Sequence, residues 1–364
     1  MSKVRIAHIA DFHLGGELYE KNELNEQINK SLIKSLANIF NILNLSKVDI
    51  VLIAGDFYES SSIDLNLLKN IKEIFSKFNG KIVISPGNHD YVSLESSYNS
   101  KWPQNTFIFK NEKIEFFEFS DLKTRVYGFA FNSSYINKRM LQDFPILDEK
   151  YINLGVFHGQ IDSSINNYNP IFLEDIENSN LDYIALGHIH KRSDIAKIGN
   201  TYYAYSGNPV GRGFDETGEK GIYLGDIGKT RNGLNFYKID NREFYKIDIE
   251  IKNFETQDII EKQIREYLLK NIGKMYKQNY YKINLEGFIS KNQTINIPIL
   301  EANLSDINYV EIYDKTKLKL DFENIKNEHS LRGNFVRKVL ELESDLEQKQ
   351  ILDFGIRAFE DLLW

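Results

Sequence analysis

Six short apolar runs punctuate the first 240 residues, and five of them stop on a side chain that can bind a metal or move a proton. The runs are VRIAHIA (4–10), VDIVLIA (48–54), KIVIS (81–85), YINLGVF (151–157), LDYIALG (181–187) and TYYAYS (201–206). Runs of this length separated by helical stretches are the pattern of an α/β domain. A helix is expected over 22–44, where Leu24, Ile28, Leu32, Leu36, Ile39 and Leu43 recur at three- and four-residue spacing. A second is expected over 63–78, carrying Leu67, Leu68, Ile71, Ile74, Phe75 and Phe78. Segment 106–131 alternates and is rich in Phe, so it reads as hairpin strands of a second sheet packed on the first. Segment 214–227 reads as a further hairpin, with glycines where a tight turn would need them.

At 364 residues the chain exceeds the usual single-domain range, which favours two domains. The character changes near 240. Residues 1–240 are expected to form the catalytic α/β domain and 241–364 a small α+β cap. In the cap, FYKIDIEIKNF reads as a strand, 256–272 as a helix opened by a Thr or Asp cap, then two strands and a terminal helix over 343–363. No run approaches the ~18 apolar residues of a membrane span. The N-terminus is strand-like within a few residues, so no secretory or transit segment is expected. The absence of cysteine removes disulfides and thiolate metal sites and fits a cytoplasmic protein. The formal charge of −7 counts against unaided tight binding of nucleic acid, for which bound metals or a basic partner would compensate.

The side chains at the strand ends define the chemistry. Asp11 and His13 follow the first run, Asp56 the second, and Asn88, His89 and Asp90 the third; His158 follows the fourth, and His188 and His190 the fifth. In open α/β sheets ligands bind at the carboxyl ends of the strands, so these groups are expected to converge. Mixed oxygen and nitrogen donors without sulfur suit Mn²⁺, Fe²⁺ or Zn²⁺, with Mg²⁺ also possible and Mn²⁺ preferred. Seven donors, Asp11, His13, Asp56, Asn88, His158, His188 and His190, are too many for one ion. They suit two, about 3.5–4 Å apart and bridged by one carboxylate, an arrangement that activates water and clamps phosphoryl oxygens. Phosphate-ester hydrolysis follows as the expected reaction. His89 is the expected proton donor to the leaving oxygen, with Asp90 beside it to orient and charge it.

Other polar residues have a quieter reading. His8 shares a strand face with Ile6 and Ala10 and is expected to be a satisfied core histidine. His329 is expected on the surface. Asn208 and Arg212 follow the sixth run, where substrate binding and a structural turn role weigh equally.

The ordered motifs D-x-H, G-D, G-N-H-D, H and G-H-x-H resemble those of the calcineurin-like metallophosphoesterases. IAHIADFHLG, SPGNHD, GHIHK and YSGNPVGRGFDETGEKGIYL are similar to the DNA-repair nuclease branch, with its SbcD-type exonuclease subunits and YhaO-like proteins. The likeness covers about 1–230, and the remainder is only loosely like that branch's cap. It implies a four-layer αββα sandwich with Asp11, His13 and His190 on one metal, Asn88, His158 and His188 on the other, and Asp56 between them. It also implies His89 as the non-ligand histidine, DNA as substrate and an SbcC-like ATPase as partner. The chain departs from the branch at Glu59, where an aspartate is usual.

The expected function is therefore a metal-dependent DNA exonuclease. The alternatives are a phosphodiesterase or phosphatase of small, cyclic or dinucleotide substrates, and an adaptor for the ATPase. A homodimer is a further expectation, should helix 63–78 expose its apolar stripe.

Overall fold

The computed structural model describes residues 3–16, 22–161, 164, 166–229, 231–239, 242–252, 256–290, 293–319, 322–342, 351–352 and 354–355. The chain divides into two compact units, Met1–Tyr245 with Gln278–Tyr280, and Lys246–Lys277 with Tyr281–Trp364.

The first unit begins with strand β1 (Lys3–Ile9), helix α1 (Asn22–Leu45), β2 (Ile50–Ile53), α2 (Leu65–Ser76), β3 (Lys81–Ile84) and β4 (Thr106–Ile108). It continues through β5 (Glu115–Phe119), β6 (Thr124–Gly128), β7 (Ile152–His158), β8 (Gln160–Ile161), β9 (Pro170–Ile171), α3 (Leu173–Ser179) and β10 (Tyr183–Gly187). Strands β11 (Ala196–Ile198), β12 (Thr201–Tyr205), β13 (Gly221–Gly228) and β14 (Arg231–Lys238) complete it. Two six-stranded sheets result, ordered β14-β13-β1-β2-β3-β4 and β11-β12-β10-β7-β6-β5. In the first, β1 to β4 are parallel and the antiparallel β13 and β14 extend one edge; in the second, the parallel β6, β7, β10 and β12 carry an antiparallel strand at each edge.

The core explains the layering. Val4, Ile6, Ile50, Leu52 and Val83 of the first sheet meet Val126, Leu154, Val156, Tyr183, Ala185 and Ala204 of the second. These are alternate residues of each strand, so one face of each sheet is buried against the other. The opposite face of the second sheet carries Tyr127, Phe157, Ile184 and Leu186, which pack with Ile176 of α3. Helices α1 and α2 bury their own stripes, Leu32, Leu36, Ile39 and Leu43 on one and Leu68, Ile71 and Phe75 on the other. The Phe40 and Phe75 rings join the two helices, their centroids 4.8 Å apart. The architecture is the αββα sandwich. The α2 stripe is buried within the chain, so it does not itself point to a dimer.

His8 reaches across the sandwich. Its Nε2 lies 3.1 Å from the Leu186 carbonyl and its Nδ1 2.9 Å from the Tyr183 hydroxyl. The carbonyl can only accept, so Nε2 carries the proton and Nδ1 accepts from Tyr183. This is the satisfied core histidine expected from its strand position.

Two hairpin expectations need correction. In 106–131 only β5 and β6 form a hairpin of the second sheet. Strand β4 instead pairs parallel with β3, Ile82 opposite Thr106, and extends the first sheet. The hairpin expected over 214–227 is β13–β14, with Gly221 opposite Lys238, so only its first strand falls in that segment.

The second unit contains a three-stranded sheet of β15 (Phe244–Glu250), β16 (Tyr280–Glu286) and β18 (Tyr309–Asp314). Around it are α4 (Gln257–Asn271), the short β17 (Phe288–Ile289), α5 (Ile297–Asn303), β19 (Lys317–Leu318), α6 (Phe322–Ile325) and α7 (Leu331–Leu340). Thr256 takes the N-cap position of α4. The helix expected over 343–363 lies largely outside the described residues. Helix α7, not expected from the sequence, buries Val336 and Val339. His329 is exposed.

Candidate metal centre

Register sets the strand ends level. Ile9 pairs with Ile53, and Gly187 with His158, so the residues that follow emerge at one edge of the sandwich. The two sheets nearly touch there. A Cβ on Gly187 would sit 1.7 Å from the Ala54 carbonyl oxygen, so no side chain fits at that point. Asp11 and His13 (both φ 51°), Asp56 (φ 48°) and His188 (φ 102°) all adopt the left-handed backbone. That conformation is costly for a residue with a Cβ, and such strain collects where geometry serves function.

Backbone bonds hold the strained turns. Asp11 N donates to Gly55 O (3.1 Å), His13 N to Asp56 O (2.9 Å) and Leu14 N to Phe57 O (2.9 Å). Asp90 secures the turns around Asp56 and Gly87 from below. Its buried carboxylate accepts from Phe57 N at 2.8 Å, Gly87 N at 2.6 Å and Asp56 N at 3.2 Å. It also takes the Tyr98 hydroxyl at 2.5 Å. The expected pairing of Asp90 with His89 is corrected by this: the carboxylate beside His89 is Glu59, 3.3 Å from Nδ1.

The donors form two groups. Asp11, His13 and His190 bring one donor atom each within 4.8 Å of one another, and so do Asp56, His158 and His188. Asp56 Oδ2 lies 3.3 Å from His158 Nε2 and 3.7 Å from His13 Nε2, so one oxygen faces both groups. Asn88 Oδ1 lies 2.9 Å from His158 Nε2. The Nε2 atoms of His13 and His190 face each other at 3.1 Å, a separation that calls for a proton or a cation between them. All seven expected donors are thus brought together.

Outer contacts aim these rings. His158 Nδ1 lies 3.0 Å from the Ala54 carbonyl, which can only accept, so Nδ1 carries a proton and Nε2 is turned toward Asp56 and Asn88. His190 Nδ1 is held 2.9 Å from Glu216 Oε1, turning Nε2 inward. His188 N donates to Asp11 Oδ1 at 2.9 Å.

The local field favours a cation. Burial raises the Asp11 carboxyl above its ordinary range, and the neighbouring Asp56 charge adds to this. Burial also opposes charge on Asp56, but His158 and His13 hold its carboxyl well below the usual range. His158 is fully buried, which lowers its pKa, yet Asp56 and Asp11 raise it to about 9. His188 falls to about 4 through burial and the proximity of His158. Carboxylates and inward-facing imidazoles in a sulfur-free site fit divalent ions of the Mn²⁺, Fe²⁺ or Zn²⁺ type.

A second cluster adjoins the first. Glu59 lies 2.9 Å from His13 Nδ1 and 2.9 Å from an Arg212 guanidinium nitrogen. Arg212 also reaches Glu216 at 2.8 Å. The chain His89, Glu59, Arg212, Glu216, His190 therefore runs along one flank of the site. The bond to Glu59 raises His89 to about 9, against partial burial. Asn208 is buried, its amide nitrogen on Glu216 (2.7 Å) and its oxygen accepting from Lys220 (2.7 Å). Asn208 and Arg212 are thereby engaged in supporting contacts, the structural role weighed beside substrate binding. Glu216 was missed by sequence reasoning, because in FDETGEK nothing distinguishes it from Asp215. Glu59 stood out only as the position where the chain departs from the branch it resembles.

The family model for calcineurin-like phosphoesterases matches residues 4–192. The uncharacterized metallophosphoesterase YhaO of Bacillus subtilis is 28% identical over 236 residues, 62% of this chain and 57% of that protein. The chain thus spans little more than half of YhaO's length. The SbcD component of the nuclease SbcCD of Staphylococcus saprophyticus is 21% identical over 314 residues, 78% of each chain. The DNA double-strand break repair protein Mre11 of Methanococcus maripaludis is 24% identical over 321 residues, 83% of this chain and 78% of that one.

Proposed function

The chain belongs to the calcineurin-like phosphoesterase family, and from that premise we propose that it is a metal-dependent DNA nuclease with a paired-metal centre. The observation that carries the paired centre is the single Asp56 oxygen facing both His13 and His158. In this reading Asp11, His13 and His190 would hold one ion and Asn88, His158 and His188 the other, with Asp56 available to both. Bound divalent ions, Mn²⁺ foremost, supply an activated water and neutralise phosphoryl charge.

The chain's own residues do the rest. His89, with Nδ1 committed to Glu59, offers Nε2 to the departing sugar oxygen and donates its proton there. Glu59 favours the charged ring that makes this donation possible.

DNA as substrate is supported by the names of the SbcCD nuclease and Mre11 repair relatives; exonucleolytic action and an SbcC-like ATPase partner rest on the motif resemblance alone. A phosphodiesterase of dinucleotides is the second reading, favoured by the charge of −7. The test is Mn²⁺-dependent hydrolysis by the purified chain of single- and double-stranded DNA beside an aryl phosphodiester, for wild type and His89→Ala. DNA cleavage that needs Mn²⁺ and falls roughly 100-fold or more in the variant supports the nuclease. Cleavage of the aryl ester alone favours the small-substrate reading, and no turnover with metals bound favours an adaptor.

A further inference from the structure

The donor cluster opens on one side into a cleft of about 450 Å³. Asn88 and His89 form its inner end, and Tyr91, Tyr135 and Tyr168 stand in its walls. Its size suits a single small-molecule group. Among the described residues no lysine or arginine lines it, and the carboxylate there is Glu59. Beyond His89 at its inner end, a cleft lined without Lys or Arg is not built to follow a phosphate backbone, which binding proteins neutralise with those residues. It suits a flat, uncharged group.

The tyrosines are placed for such a guest. Tyr135 is 59% and Tyr168 39% exposed, although large aromatic rings tend to be buried. Their backbones are fixed side by side: Ile136 N donates to Asn167 O at 2.8 Å, and Asn169 N to Ile136 O at 2.7 Å. The Tyr168 ring lies against His188, centroids 4.8 Å apart and planes at 31°, which anchors that wall to the metal centre. Ring faces that are exposed, held in place and contiguous with a phosphate site are what base stacking uses.

We propose that this cleft receives the nucleobase of the nucleoside on the leaving-oxygen side of the scissile phosphate, with Tyr135 as the stacking face. The side follows from His89, which lines the cleft and, in the hydrolytic reading on which this inference rests, protonates that oxygen. A base must leave its pair to enter. The site therefore favours single-stranded or frayed ends over paired duplex, where unpairing adds to the cost.

The test separates stacking from catalysis. Quenching of 2-aminopurine 2′-deoxyriboside fluorescence is followed in EDTA, with deoxyribose as a base-free competitor, for wild type, Tyr135→Phe and Tyr135→Ala. Wild type and Tyr135→Phe quench, Tyr135→Ala binds roughly tenfold more weakly, and deoxyribose does not compete. On Mn²⁺-dependent cleavage of a single-stranded oligonucleotide, Tyr135→Ala raises KM by a similar factor, and an abasic leaving unit removes that difference. Absence of quenching by wild type, or equal quenching by Tyr135→Ala, overturns the subsite. If wild type quenches but cleaves no phosphodiester in Mn²⁺, the hydrolytic reading fails and the stacking cleft stands.

Discussion

Glu216 touches no substrate in this account, yet it sets the direction in which His190 points. Replacing it with Gln removes the charge behind Nδ1 and leaves Arg212 with one carboxylate fewer. Such outer partners of metal-binding histidines typically contribute 10–100-fold in affinity. Glu216→Gln is expected to weaken Mn²⁺ binding by roughly that factor, measured by calorimetric titration. His8 gives a pH prediction. Burial, only partly opposed by the Leu186 bond, lowers its pKa from 6.5 to about 3. The neutral ring's contribution is complete above pH 6.5 and declines as pH falls toward 3, because the unfolded chain takes up a proton that the folded one refuses. The loss is at most ~1.4 kcal/mol per pH unit. The His8 ring resonances should keep the neutral pattern in NMR at pH 5; a midpoint near 6.5 would contradict the assignment. At this scale the donors were legible because each follows an apolar strand. Glu59, Glu216 and the true role of Asp90 were not, since their partners come from remote loops or from backbone amides that side-chain spacing does not reveal.

Among the elements, the turns after β2 and β3 depend on Asp90. Asp90→Ala strips a buried acceptor from the amides of Asp56, Phe57 and Gly87. Orphaned buried donors make this one of the more destabilising single changes, ~2–4 kcal/mol, read from the urea unfolding midpoint. Mn²⁺ affinity should fall with it, because the Asp56 turn loses its support. The six apolar runs became β1, β2, β3, β7, β10 and β12, and the two amphipathic periods became α1 and α2. Strand β4 was assigned to the wrong sheet for a physical reason. Three residues of alternating pattern carry no information on which edge they will join, and that choice is made by the pairing of Ile82 to Ile84 with Thr106 to Ile108.

For the molecule as a whole, the metal centre links folding to ligand. Burying Asp11 and Asp56 together raises the Asp11 pKa and so disfavours its charged form without a cation. Saturating Mn²⁺ is therefore expected to raise Tm, by the equivalent of ~2.7 kcal/mol at a hundred times Kd for one site. Asp11→Asn should melt no lower than wild type in EDTA and gain less from Mn²⁺, which differential scanning calorimetry would read. Among the described residues no helix is long and apolar enough to cross a membrane. The most direct test of the central claim, a paired-metal centre sharing Asp56, is the electron paramagnetic resonance spectrum of the Mn²⁺-loaded protein. An exchange-coupled signal from two ions per chain, lost in Asp56→Ala, is the expected result. An uncoupled six-line spectrum, the same in wild type and variant, would contradict it.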